Sequence, residues 1–440
     1  MDKNRWFACA KEAGFESFEI YQLLNEERSF TWFEGELDSY VTSHVLGTAF
    51  RGVIDSKMVN ASSEDTSDDQ MEDVIASMKQ QAQMISNEEK ADLRKPEEIK
   101  QEDKQIPVSA NADVIRALLG ETEKKILAFD ERIFQVTDLV YEESRTIRTI
   151  VNTYGMDLKE VSGINVLVAG AAAKENEEIR NHYEFEPVDD AASFDSDDFV
   201  KQLCEKTVGK LGASTPASGE YPVIIERGAF TQLFGAYSSM FCGDAFRKGI
   251  SPLCGKLNEK IFSEEIEIID DPNDSRAVQR YAFDDEGCPA KRKTVVEKGV
   301  LKTILHDETT ARAAGTESTG NGFRSGYSTP VDARVMNFGI ENGPHTPDEL
   351  MAIIGNGILI TDFAGLHAGL NHVTGDFSLQ CSGYAVKDGK KAEGLTLFTA
   401  AGNIISLLDH VTAIGNDRRW GAGSVSCPSI AFESLSISGS

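Results

Sequence analysis

Basic residues are scarce in this sequence: 44 lysines and arginines stand against 72 aspartates and glutamates, a formal net charge of −28. A broad basic surface is excluded, and binding to a phosphate backbone would be opposed electrostatically, so no direct nucleic-acid partner is expected. Long apolar runs are also missing. The longest largely apolar stretch, residues 164–173, is interrupted by glycine and far short of a bilayer span. Residues 1–14 open with charge and hold no apolar signal core, so the expectation is a cytoplasmic protein with no membrane partner. The seven cysteines are scattered and form no C-x-x-C pair, which argues against a disulfide framework or a zinc ribbon. No G-x-S-x-G occurs either, and the few histidines suggest no triad for a serine hydrolase.

What is present is an ordinary globular composition, 40% hydrophobic and 26% charged over 440 residues, enough for two domains. Residues 2–13 can form a short helix carrying Trp6 and Phe7. Alternating runs from Phe18 to Met58 predict an antiparallel meander, with turns at Glu34-Gly35 and at Asp38-Ser39. Helical spacing follows near Ser67–Ile85, and again from caps at Ser109 and Asn111 to Leu127; between them residues 87–105 are polar and read as an exposed connector. Strands are expected over roughly 133–187. An acidic stretch, Val188–Asp198, then precedes a helix near Phe199–Leu211.

Further on, runs near 280–284, 291–296 and 300–306 are separated by Glu286-Gly287 and Lys298-Gly299. Residues 403–414 read as a helix and Ser429–Ser438 as a closing strand. The expected class is α+β, mostly antiparallel sheets with packed helices and a hairpin-rich C-terminal half. It divides into an N-terminal domain (1–190), a linker and connecting helix (191–218), and a β-rich C-terminal domain with a central helix (219–440).

Four ordered segments carry a family resemblance. They are Gly228–Lys256 (GAFTQLFGAYSSMFCGDAFRKGISPLCGK), Ser318–Tyr327 (STGNGFRSGY), the pair Gly365–Asn371 with Thr374–Ser378, and Gly415-Asn416-Asp417 with the closing strand. Together they resemble the TldD/PmbA peptidase family, and more closely its PmbA/TldE side. Members of the TldD side carry H-E-x-x-x-H just upstream of the R-K-G segment. Two histidines and a later cysteine would hold a metal there, with the glutamate as general base.

Counting back from Arg247-Lys248-Gly249 puts Phe234, Gly235 and Ser239 in the His, Glu and His places. Phenylalanine cannot ligate, glycine cannot take a proton, and no cysteine lies by Gly415-Asn416-Asp417. No catalytic residue, metal or other cofactor is therefore carried over to this chain. Independently, Phe230, Leu233, Phe234, Tyr237, Met240 and Phe241 fall on one helical stripe, which assigns Phe234 to core packing.

Three other constellations invite chemistry. Asp362, His367, His372 and Asp376 could converge on a metal, but their spacing favours loop capping. The glycine-rich 315–326 loop, with Arg312 and Arg324 nearby, could cradle phosphate, but it matches no nucleotide fingerprint. Ser238 and Ser239 are nucleophiles only if a base reaches them. Arg324, Asn321, His367, Asn371 and Asp376 remain as substrate-binding or structural loop residues.

The resemblance implies a non-metal subunit of a peptide-processing protease. Its partners would be a TldD-like metal-bearing subunit and a peptide substrate, with a homodimer as the alternative assembly. An independent hydrolase using another site, or a non-enzymatic dimeric binding or regulatory protein, are the rival readings.

Overall fold

A computed structural model describes residues 1–65, 67–86, 90–99 and 106–440. The α+β class holds. The N-terminal half is a six-stranded antiparallel sheet built from long neighbours in sequence: β1 (Ser17–Phe33), β2 (Glu36–Ile54), β3 (Lys57–Ser63), β4 (Ile133–Asn152), β5 (Asp157–Glu175) and β6 (Glu178–Pro187), in the order β3-β2-β1-β4-β5-β6. The β1–β2 hairpin turns at Glu34-Gly35, where both residues take positive φ (47° and 86°). The turn expected at Asp38-Ser39 does not form. Ser39 pairs with Thr31 and Leu37 with Trp32, so Asp38 is the extra residue of a β-bulge inside β2.

Helices cover the sheet in two patches. Lys3–Glu12 and Met71–Met84 bury Trp6, Ile75 and Met78 against Phe18 and Phe50, with Trp6 stacked on Phe50 at 4.5 Å. Ala112–Phe129 and Asp197–Val208 bury Leu119, Ile126 and Leu203 against Leu139 and Leu167. Of the two caps proposed for the first of these, Asn111 serves, accepting the Asp113 N–H at 3.0 Å. Ser109 instead donates to Glu143 at 2.8 Å.

The polar 87–105 stretch lies partly outside the described residues. Its described part is anchored rather than open: Leu93 is buried, and the Asp92 carbonyl accepts from Arg312 at 3.0 Å. In the acidic stretch that follows β6, Val188 and Ala191 are buried in the same core as the second helix pair.

The C-terminal half is a second six-stranded sheet, ordered 390–403, 376–387, 357–364, 219–225, 430–438, 411–414. The strand Gly219–Ile225 runs parallel to Gly357–Ala364, with Val223 opposite Ile358, and antiparallel to Ile430–Ser438. Thr399–Ala401 also pairs with Ser436–Ser438, so the sheet closes on itself into a barrel and leaves Val411–Ile414 appended.

Two expectations fail here. Residues 403–414 split into a helix, Ile404–Asp409, and the strand Val411–Ile414, because residues 411–414 find the ladder of Ile430–Phe432. Residues 280–284 form no strand: Phe283 makes one bridge to Pro289, and the segment turns into a buried polar cluster. The runs at 293–297 and 300–301 do form a hairpin, in a small sheet with 268–270 and 338–340.

Candidate functional site

The helix Arg227–Tyr237 follows directly on the strand Gly219–Ile225, and a single 3₁₀ turn, Ser238–Phe241, extends it. Its N-terminus is capped by Glu226, whose carboxylate accepts the Gly228 N–H at 2.9 Å. The apolar stripe is buried as the spacing predicts, Phe230, Leu233, Phe234 and Phe241 completely. The other side of the helix, with Thr231, Gly235, Ser238 and Ser239, faces a cavity of about 910 Å³. The opposite wall comes from the N-terminal sheet, through Tyr21, Arg148 and Glu160. The rim comes from C-terminal loops, through Arg324, Arg334 and Val425. The cavity thus lies where the two sheets meet, a usual place for a ligand site.

The three residues in the metal-motif places differ in what they touch. Phe234 is absent from the cavity wall; its ring stacks on Phe338 at 5.5 Å with 4° between planes. Gly235 and Ser239 do line the wall. A Cβ on Gly235 would meet nothing closer than Val425 at 3.7 Å, so the position has room for a side chain and carries none. Cys242, one turn on, is buried beside Asp270 and Asp244. Burial first, and those carboxylates second, push its thiol well above its usual range, away from the thiolate that a metal needs. Cys427 is fully buried, and burial holds its thiol up at about 12. Among the described residues no three His, Cys, Asp or Glu side chains converge as a metal would require. The donor set at the family's metal position does not fit a metal.

Of the loop residues singled out from sequence, only Arg324 reaches the cavity. Asn321 is fully buried behind it. Its amide donates to the Arg334 carbonyl at 2.8 Å, and its oxygen accepts from Lys293 at 2.9 Å and Thr319 at 2.8 Å. His367, Asn371 and Asp376 lie away from the cavity. Asn371 Oδ1 accepts the Val373 N–H at 3.0 Å, while Asp376 accepts from Thr374 at 2.6 Å and Asn403 at 2.9 Å. Asn371 and Asp376 shape a turn, and the Asp376 carbonyl takes the Tyr237 hydroxyl at 2.6 Å, which ties that turn to the central helix; His367 is exposed beside it.

Sequence reasoning missed the charged lock between the two halves. Arg51 pairs with Glu19 and with Glu286, each at 2.7 Å. Arg148 pairs with Asp285 at 2.6 Å, with Glu160, and with the Phe283 carbonyl at 2.6 Å. All six charged side chains are at least nine-tenths buried. Between them Asp284 accepts the N–H groups of Glu286, Cys288 and Gly322, each at 2.9 Å. Burial and the neighbouring Glu286 nonetheless push its carboxyl up to about 8. The signal available in sequence was the run Asp284-Asp285-Glu286, which reads as a solvated hairpin turn because its partners lie more than 100 residues away.

Known proteins share the sequence segments and the fold of this chain. Residues 218–439 match the family described as the PmbA/TldA metallopeptidase C-terminal domain, residues 94–211 its central domain, and residues 18–82 its domain 1. A metalloprotease from Methanothermobacter thermautotrophicus is 32% identical over 234 residues, 52% of this chain and 50% of its own. A TldD homologue from Buchnera aphidicola is 28% identical over 258 residues, 55% and 53%. The chain therefore spans about half the length of these two relatives. A PmbA homologue from Haemophilus influenzae is 25% identical over 337 residues, 75% of this chain and 71% of its own. Among solved structures, a Thermotoga maritima protein superposes with TM-score 0.90 at 28% identity over 99% of both chains. TldE from Thermococcus kodakarensis shares the fold, with TM-score 0.90 at 23% identity over 99% of both. With its three successive segments matched in order, the chain belongs to the PmbA/TldD metallopeptidase family.

Proposed function

We propose that this chain is the non-metal subunit of a peptide-processing metalloprotease and that it acts with a TldD-like, metal-bearing partner. The observation that carries this reading is the wall of the cavity. At the family's metal position the helix presents Gly235 and Ser239 to an open space, while Phe234 turns into the core. The space is retained and the hydrolytic ligands are missing, as suits a chamber that holds substrate for chemistry performed elsewhere. β6 ends the N-terminal sheet, and its Phe185 lines the same cavity, so an extended peptide could add to that edge through main-chain hydrogen bonds.

The test is reconstitution. The purified chain is mixed with a relative that carries H-E-x-x-x-H, and native mass and peptide cleavage are measured with and without a chelator. The expected result is a heteromer, with chelator-sensitive cleavage that needs the partner. Chelator-sensitive cleavage by this chain alone would overturn the reading, and so would a monomer that ignores the relative.

A further inference from the structure

The cavity wall carries three guanidiniums. Arg148 is matched by Glu160 and Asp285. Arg324 is not matched. Its backbone N–H donates to Asp285 Oδ2 at 2.8 Å and its Nη1 to the Thr329 carbonyl, but its Nε and Nη2 are buried and have no hydrogen-bond partner. Among the described residues no carboxylate stands at ion-pair distance from its guanidinium. The Tyr21 ring supports it from one face, 5.0 Å from the guanidinium carbon. Beside it, Arg334 donates Nη2 to Ser325 Oγ and stands 3.6 Å from Asp332 Oδ2, while its own Nε is buried and unpartnered. Burial first, and the nearby Arg51 second, lower the pKa of Arg324, and the attraction of Asp285 does not outweigh them.

That unpaired edge, closed to solvent in this side-chain conformation, is specific. Nε and Nη2 are the two parallel donors with which a guanidinium grips both oxygens of one carboxylate. Elsewhere this chain uses that edge in the same way: Arg132 holds Asp130 through Nε and Nη2 at 2.9 and 2.8 Å, and Arg276 holds Asp274 through the same atoms at 2.9 and 2.6 Å. In Arg324 the same pair of donors faces no protein acceptor.

The geometry points to a carboxylate subsite at Arg324, with Ser325 and Arg334 beside it, that holds one carboxylate of the bound peptide. Asp285 and Asp332 also stand on the cavity wall, and their charge favours a singly charged anion over a dianionic phosphate. This subsite rests on the reading of the cavity as a peptide site. Its carboxylate is either the one that ends the peptide chain or an Asp or Glu side chain.

Calorimetric titration of the full chain separates these sources. The probes are N-acetyl-trialanine with a free carboxylate, its C-terminal amide, and the same amide with a central aspartate. At least one of the two acids is expected to bind ten-fold or more tightly than the neutral amide, and which one does so names the source. Acetate, but not acetamide, should compete with it in the wild-type chain, a measurement that needs no variant. Arg324→Gln should bring acid and amide to within two-fold of each other, and Arg324→Lys, which keeps the charge but loses the paired donors, should fall between. Equal binding of acids and amide, no binding of any probe, or undiminished discrimination in Arg324→Gln would overturn the subsite. Those results leave assembly with a metal-bearing relative untouched, and failure to assemble leaves the binding ratio untouched.

Discussion

Restoring the family's metal motif by substitution tests the claim that Phe234 belongs to the core and not to the chamber. The variant carries Phe234→His, Gly235→Glu and Ser239→His. Phe234 is fully buried and stacks on Phe338 at 5.5 Å and on Phe230 at 6.0 Å. Burying a phenylalanine side chain is worth about 2–3 kcal/mol, and an aromatic pair adds about 0.5–1.5. Histidine keeps part of that area but leaves a ring N–H or N without a partner, at about 1–3 kcal/mol. The sum is a loss of about 3–5 kcal/mol, nearly all of it from position 234, because 235 and 239 face the cavity. If the C-terminal half melts as a unit, that loss lowers the melting temperature by on the order of 10 °C. The control is Phe234→Leu, which should lose far less.

Differential scanning calorimetry with and without zinc reads the outcome. A true site held at one hundred times its dissociation constant would return about 2.7 kcal/mol to the folded state. The expectation is a destabilised variant whose melting temperature zinc does not raise. A variant as stable as wild type, or one bound by a single zinc that restores several degrees, would refute the placement of Phe234.

Three further outcomes concern the buried charges and the central helix. Arg51→Met strands the buried carboxylates of Glu19 and Glu286, so chemical denaturation should show a loss of about 3–5 kcal/mol, whereas an unchanged midpoint would mean the lock is not formed. Asp284 has a folded pKa raised to about 8, so its contribution is full below about pH 4 and is lost as pH rises through about 8; the wild type should lose stability between pH 5 and 8 relative to Asp284→Asn, and a relative gain over that window would contradict the sign. Gly235→Ala meets only an ordinary contact at 3.7 Å inside a helix, so thermal melting should show a gain of about 0.5–1 kcal/mol, and a marked loss would show that the helix packs more tightly there.

Local patterns in the sequence carried much of the fold. Alternation around Phe18 and Phe30, the Glu34-Gly35 turn and the Asn111 cap each act over a few residues, and each is where periodicity places it. The buried stripe of the central helix was legible for the same reason. Bulges and splits were less so: Asp38 looks like a turn residue, and only its partner strand shows that it is an insertion. The candidate site was half legible. Gly235 and Ser239 could be placed by counting within one segment. Arg148, Glu160 and Asp285 could not, because Asp285 sits in a loop that meets the Arg148–Glu160 pair from 137 residues further along the chain, and only that contact turns a charged run into a buried wall. Asn371 and Asp376 show the converse, since polar residues close in sequence spend their hydrogen bonds on their own turn.

The parallel pairing of Gly219–Ile225 with Gly357–Ala364, and its antiparallel pairing with Ile430–Ser438, set an order of events during synthesis. Each strand of the N-terminal sheet finds a partner close at hand on the chain, so that sheet can assemble while translation continues. The strand that begins the barrel must wait for more than 130 residues before its first neighbour exists, and for about 200 before its second. Throughout that interval the central helix, with Phe230, Phe234, Tyr237 and Phe241, has already left the ribosome with no sheet to cover it. Long-range closure of this kind is slow and leaves apolar surface open to association. The C-terminal half is therefore the part of the chain for which chaperone holding, and the pace of translation through its last strand, should matter most.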